Sequence, residues 1–195
     1  MQTEIEGKFR IESIDQIHAT LTKVGAECVH PMRLMRRALI EEEHHAAENS
    51  FIRIRDEGDK VTLTYKRRDS ETLHGQKEIE IIVSDFDKTI ELFQAAGWQY
   101  TTFQESRRET WTLDDAEVVI DEWPWIDPYI EIEASDEATV RAVAQKLNVS
   151  WETANLGSVD NFYKEQFPNM AVRGVIDIKE VRFGADVPAE FGARV

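Results

Sequence analysis

Cysteine is almost missing from this chain. Cys28 is the single one in 195 residues, which excludes an internal disulfide and a cysteine zinc cage and suits a reducing compartment. Long apolar runs are also missing. No stretch approaches the roughly 20 apolar residues of a membrane span, so no membrane partner is expected. The opening MQTEIEGKFR is charged at once and has no apolar signal core, so the expected location is cytoplasmic. Positive charge is scarce: 23 Lys and Arg face 38 Asp and Glu, a net −15. A field of that sign repels nucleic acid and anionic lipid. Nine glycines and five prolines are scattered as turn residues, and no linker divides the chain. One domain over residues 1–168 is expected, with a C-terminal extension, 169–195, packed on it.

Strand signals dominate what is present. Thr3–Ile11 alternates Glu4, Glu6, Lys8 and Arg10 with Ile5, Gly7, Phe9 and Ile11. Ser50–Arg55 and Lys60–Lys66 flank Asp56-Glu57-Gly58-Asp59, a hairpin turn. Lys77–Val83, Arg107–Leu113, Glu117–Asp121 and Tyr129–Ala134 add four more strands. Three helices are predicted behind Ser13, Ser84 and Ser135 as caps, stopped at Gly25, Gly97 and Asn148. A weaker helix covers Ser158–Phe167. The fold class is α+β, a mostly antiparallel sheet with helices on its outer side.

Residues i and i+2 of a strand share a face, about 6.6–6.8 Å apart. Glu4, Glu6 and Lys8 therefore share one face, as do Arg53 with Arg55, Glu78 with Glu80, and Glu131 with Glu133. A half-solvated sheet would explain any one of these strands. A solvent face, however, mixes residue types, whereas these pairs are pure in charge. The apolar faces already have partners in the amphipathic helices. If the sheet closes on itself, the charged faces point into its lumen.

Such a lumen gathers Glu4, Glu6, Glu78, Glu80, Asp121, Glu131 and Glu133. Two carboxylates about 7 Å apart repel by roughly 2–3 kcal/mol at an effective dielectric near 20. They take up protons or draw in cations. Carboxylates without His or Cys favour Mg²⁺ or Mn²⁺. Lys8, Arg53, Arg55, Lys66 and Arg108 are the basic half. Acidic and basic walls facing each other suit a polyphosphate and its metal.

Glu4-x-Glu6-x-Lys8 resembles the ExExK signature of the CYTH superfamily, the triphosphate tunnel metalloenzymes. Further pieces follow in the family's order: FIRIR with Arg53 and Arg55, LTYK with Lys66, KEIEI with Glu78 and Glu80, RRETW with Arg108, and IDEWPWIDPYIEIE with Asp121, Glu131 and Glu133. The resemblance covers about residues 1–165. It implies a closed eight-stranded antiparallel β-barrel, a tunnel that binds a triphosphate. It makes Glu4, Glu6, Asp121, Glu131 and Glu133 metal ligands and Lys8, Arg53, Arg55, Lys66 and Arg108 phosphate contacts. Glu78 and Glu80 are further tunnel carboxylates, and Glu4, Glu6, Lys8 and Glu133 carry the catalytic expectation.

The implied activity is a metal-dependent triphosphatase acting on tripolyphosphate, thiamine triphosphate or ATP. The alternatives are a class IV adenylyl cyclase and a non-catalytic polyphosphate- or nucleotide-binding module. A homodimer is compatible with the sequence. One departure stands out. Where family members resemble Asp-x-Tyr-Phe-Asp, this chain has RRALIEEEHHAAENS. His44-His45 reads there as an exposed loop, Cys28 as a buried or inert thiol, and Trp123 and Trp125 as packing or stacking residues.

Overall fold

In the computed structural model the backbone of residues 2–70 and 76–195 is described, together with the side chains of 5–70 and 77–195. The elements in chain order are β1 (Gln2–Arg10), α1 (Ile14–Lys23), β2 (Glu27–Ile40), α2 (Glu43–Ala47), β3 (Ser50–Asp56), β4 (Val61–Arg68) and β5 (Gln76–Val83). They continue with α3 (Phe86–Ala95), β6 (Thr102–Leu113), β7 (Ala116–Glu122), β8 (Tyr129–Ala134), α4 (Glu137–Lys146), α5 (Asp160–Gln166) and β9 (Glu180–Val181). Among the described residues no helix is long and apolar enough to cross a membrane.

The antiparallel order is β2-β3-β4-β5-β1-β8-β7-β6, and β6 also pairs with β2 from Glu27↔Thr112 to Leu39↔Thr102. The sheet therefore curls strongly, as α+β predicts, but the closed cylinder is corrected to a half-barrel with an open seam. β1 meets β5 only over Gln2–Glu4 and Gln76–Glu78. Beyond Glu4, β1 pairs with β8 on one side. On its other side the backbone of Asn155 exchanges two hydrogen bonds with Lys8, 3.0 and 2.8 Å. With that edge satisfied, β5 has nothing to bond there.

The wall strand missing from the alternation pattern is β2. Pro31 interrupts it, and its register with β6 shifts between Cys28 and His30 and again before Arg33. Each bulge flips the side-chain alternation by one, so no clean period of two survives in the sequence.

Two apolar clusters lie on the convex side and a third borders the cavity. Phe9, Val118, Ile120, Ile130 and Ile132 pack under Ile17 and Leu21 of α1 and Val140 and Val143 of α4. Ala38, Ile40 and Ile54 pack with Phe86 of α3 and Phe103. The third joins Trp123, Tyr129, Phe162, Tyr163 and Phe167 to Val175, Ile178, Val181 and Phe191 of the C-terminal segment. That segment adds β9, parallel to β6 at Phe103 and Gln104.

Ser13 caps α1, its hydroxyl accepting from the Gln16 N–H at 3.1 Å. The caps of α3 and α4 fall one residue later than predicted. Asp85 accepts from the Lys88 N–H at 2.8 Å, and Asp136 from the Thr139 N–H at 2.9 Å. A carboxylate also complements the helix dipole, which the preceding serine hydroxyl cannot. Asp85→Ala is therefore expected to cost about 1 kcal/mol in urea denaturation and Ser84→Ala close to nothing. Equal losses from the two would place the cap back on Ser84.

Candidate functional site

The concave face of the sheet encloses a cavity of about 750 Å³. Strand alternation sends Glu6 and Lys8 of β1, Arg33 and Arg37 of β2, Arg53 and Arg55 of β3, and Lys66 of β4 into it. Glu78 and Glu80 of β5, Arg108 of β6, Glu117 of β7, and Glu131 and Glu133 of β8 join them. The register puts like charges directly opposite one another: Glu6 with Glu133, Glu117 with Glu133, Arg37 with Arg55, Arg33 with Arg108. Such pairs oppose sheet formation. A fold that repeats them on one concave face, while covering the other face with helices, holds its charge for a guest.

On the acidic wall, Lys8 Nζ lies 2.5 Å from Glu6 and 2.9 Å from Glu131. Arg108 donates through Nε and a terminal nitrogen to both oxygens of Asp121, 2.8 and 2.5 Å, and also reaches Glu131 at 3.0 Å. Asp121, expected among the metal ligands, is 1% exposed and lies behind Arg108 with both oxygens engaged. On the basic wall, Arg53 is 3.6 Å from Glu80 and Lys66 is 3.5 Å from Glu78. Arg55 is 2.5 Å and Arg33 3.6 Å from Glu57. The side chain of Glu4 lies outside the described residues.

Burial, and then the neighbouring Glu131, push the Glu6 carboxyl up to about 7. For Glu131 burial works the same way but is outweighed by Lys8, a hydrogen bond from Glu6 and Arg108, so its carboxyl sits well below the usual range. Of this coupled pair, Glu6 is the carboxyl whose protonation the surroundings favour. Lys8 and Arg108 are each held above their ordinary values, since their carboxylate partners outweigh burial.

Among the described residues no three His, Cys, Asp or Glu side chains are grouped closely enough to hold a metal by themselves. What they provide is a buried pair of mutually repelling carboxyls, Glu6 and Glu131, with Glu133 lining the same cavity. A cation relieves such repulsion. All the donors are hard oxygens, with no His or Cys at the cavity's acidic wall, which fits Mg²⁺ or Mn²⁺ in type.

The sequence model of the CYTH domain matches residues 2–160. The chain belongs to the CYTH family. No curated protein matches it. Among solved structures, a conserved hypothetical protein from Pyrococcus furiosus is 22% identical and superposes with a TM-score of 0.69, covering 82% of this chain and 99% of the other. A candidate adenylate cyclase from Vibrio parahaemolyticus gives 0.70 at 12% identity, over 83% and 97% of the two chains. A candidate adenylyl cyclase from Hippeastrum, described as having a dominant triphosphatase activity, gives 0.55 at 16% identity, over 83% and 94%. At these identities the likeness establishes the fold alone.

In this CYTH domain several charged cavity residues escaped the sequence reading, among them Arg33, Arg37, Glu57 and Glu117. Arg33 and Arg37 lie on β2, where both faces mix charged and apolar residues. Glu57 belongs to the hairpin turn, where exposure is the default, yet it is buried against Arg55. The usable signal was the pair of arginines four residues apart, which share a face in a strand. Arg107 points away from the cavity, as the alternation requires, and stacks on Phe183. His44 and His45 form part of α2 instead of a loop, and His45 is buried beside Trp98. Cys28 is exposed, and its thiol is raised by local burial and by Glu109.

Proposed function

We propose that this CYTH protein is a divalent-metal-dependent triphosphatase acting on inorganic or organic triphosphates within the charged cavity. The observation that carries the reading is the arginine and lysine wall of Arg53, Arg55 and Lys66 facing the carboxylate wall of Glu6, Glu131 and Glu133 across one cavity. Guanidinium groups match phosphate oxygens in shape and charge. The reported triphosphatase activity of the Hippeastrum relative supports the same class.

In this reading Glu4, Glu6, Glu131 and Glu133 hold the metal, and Asp121 keeps Arg108 aimed at the ligand. When bound, the metal supplies Lewis-acid charge to the phosphate oxygens. Lys8, Arg53, Arg55, Lys66 and Arg108 bind and orient the phosphate chain and neutralise charge on the transferring group. Water forms a bond to the terminal phosphorus, the bridging P–O bond breaks, and the water's proton leaves to a carboxylate of the acidic wall. Positioning and electrostatics supply the acceleration.

The test is a panel of tripolyphosphate, thiamine triphosphate and ATP, each with and without Mg²⁺ or Mn²⁺. The expected result is orthophosphate release that requires metal. Cyclic AMP and pyrophosphate from ATP would reassign the site to a cyclase. Tight binding without turnover would leave a binding module.

A further inference from the structure

One cavity cation differs from the rest. Lys8, Arg33, Arg55 and Arg108 each have a carboxylate within 4 Å. Arg37 has no ion pair among the described residues, although it is only 7% exposed. Burial, and then Arg55, Arg53 and Arg108, push it down to about 9. One terminal nitrogen donates to the Ser106 hydroxyl. The guanidinium lies over the Trp123 ring, 4.5 Å from its centroid.

Two buried donors there lack a hydrogen-bond partner among the described residues, Trp123 Nε1 and Arg37 Nε, the latter like the Nε of Arg33, Arg53 and Arg55. A buried unmet donor costs about 1–3 kcal/mol, and an uncompensated buried charge costs more. A water molecule could accept hydrogen bonds, but the one carboxylate that opposes Arg53, Arg55 and Arg108 there, Asp121, is already held by Arg108. An anion answers both demands.

Neighbouring groups fix the place of Arg37 in the cavity. Gln104 is the cross-strand partner of Arg37. Both Gln104 Nε2 and Thr102 Oγ1 donate to the Val175 carbonyl at 3.4 Å. The C-terminal segment is thereby tied beside Arg37, and Val175 and Ile176 line the cavity. Arg37 also covers one face of the indole, which weakens the case for Trp123 stacking on a base or ring.

We propose that Arg37, held by the Ser106 hydroxyl, and Trp123 Nε1 form an anion subsite in the cavity beside the C-terminal segment, and that it takes a phosphate group of a linear polyphosphate or triphosphate. This rests on the triphosphate reading and extends it: β2 adds a phosphate contact to those of β3, β4 and β6.

The probe is tripolyphosphate in metal-free buffer, titrated calorimetrically into wild type, Arg37→Met, Trp123→Phe and Arg53→Met, with melting curves for each. Arg37→Met is expected to bind about 10–100-fold more weakly, the range for a hydrogen bond to a charged group. Its melting midpoint is expected to stay level or rise, because an uncompensated charge has gone; a purely structural arginine would lower it. Trp123→Phe keeps a ring and removes one donor, and is expected to lose about 3–10-fold. If Arg53→Met weakens binding while Arg37→Met and Trp123→Phe match wild type, the subsite is wrong and the triphosphate reading stands. If wild type binds no tripolyphosphate, both fall.

Discussion

Glu133→Gln is expected to slow metal-dependent phosphate release by about 100–1,000-fold while leaving the melting curve close to wild type. Glu133 lies opposite Glu6 and Glu117 in the register and lines the cavity. The substitution keeps its shape and removes its charge. Losing one preorganised electrostatic contact at a reacting phosphoryl group costs about that factor. Steady-state rates at saturating Mg²⁺ and Mn²⁺ measure it. A variant within threefold of wild type would remove Glu133 from the metal-binding set, and with it the role given to the acidic wall.

The second large effect concerns the support behind that wall. Asp121 is almost fully buried and spends both oxygens on Arg108, which also reaches Glu131. Arg108→Met strands a buried carboxylate. Breaking one side of a buried pair costs about 3–5 kcal/mol, which for a chain of this size lowers the melting midpoint by roughly 6–20 °C. Arg108→Met combined with Asp121→Leu removes both charges and is expected to recover most of that loss, since a buried pair replaced by apolar groups is often neutral. Activity stays lost in both variants, because Arg108 also faces the cavity. A double variant as unstable as the single one would mean that Asp121 is not the group Arg108 satisfies.

Much of this site could be read from alternation alone. Glu6 of β1 and the Arg/Arg and Glu/Glu pairs on β3, β5 and β8 face the cavity, as their spacing requires. Gly25, Gly97 and Asn148 each take a left-handed backbone at the helix ends predicted for them. What stayed hidden had physical causes. Pro31 and two register shifts broke the first part of β2, and from Arg33 on each face mixes charge with apolar residues, Arg33, Met35, Arg37 and Leu39 against Leu34, Arg36, Ala38 and Ile40, so neither stood out as the cavity face. Glu57 occupies a turn, and only the fold reveals that the turn folds over Arg55. Asp121 has the residue type of a metal ligand, but the bidentate grip of Arg108 depends on a cross-strand register no single strand encodes. The open β1–β5 seam arises from Asn155, more than a hundred residues away in the chain, which takes the edge that a full barrel would use.

The measurement closest to the central claim is a crystal structure with Mn²⁺ and a non-hydrolysable imidotriphosphate. Anomalous scattering locates the metal, and difference density locates the three phosphorus atoms. The account predicts manganese against Glu6, Glu131 and Glu133, with the phosphate chain between it and Arg53, Arg55 and Lys66. Manganese and phosphate bound on the convex face, or a cavity that stays empty at saturating ligand, would contradict it.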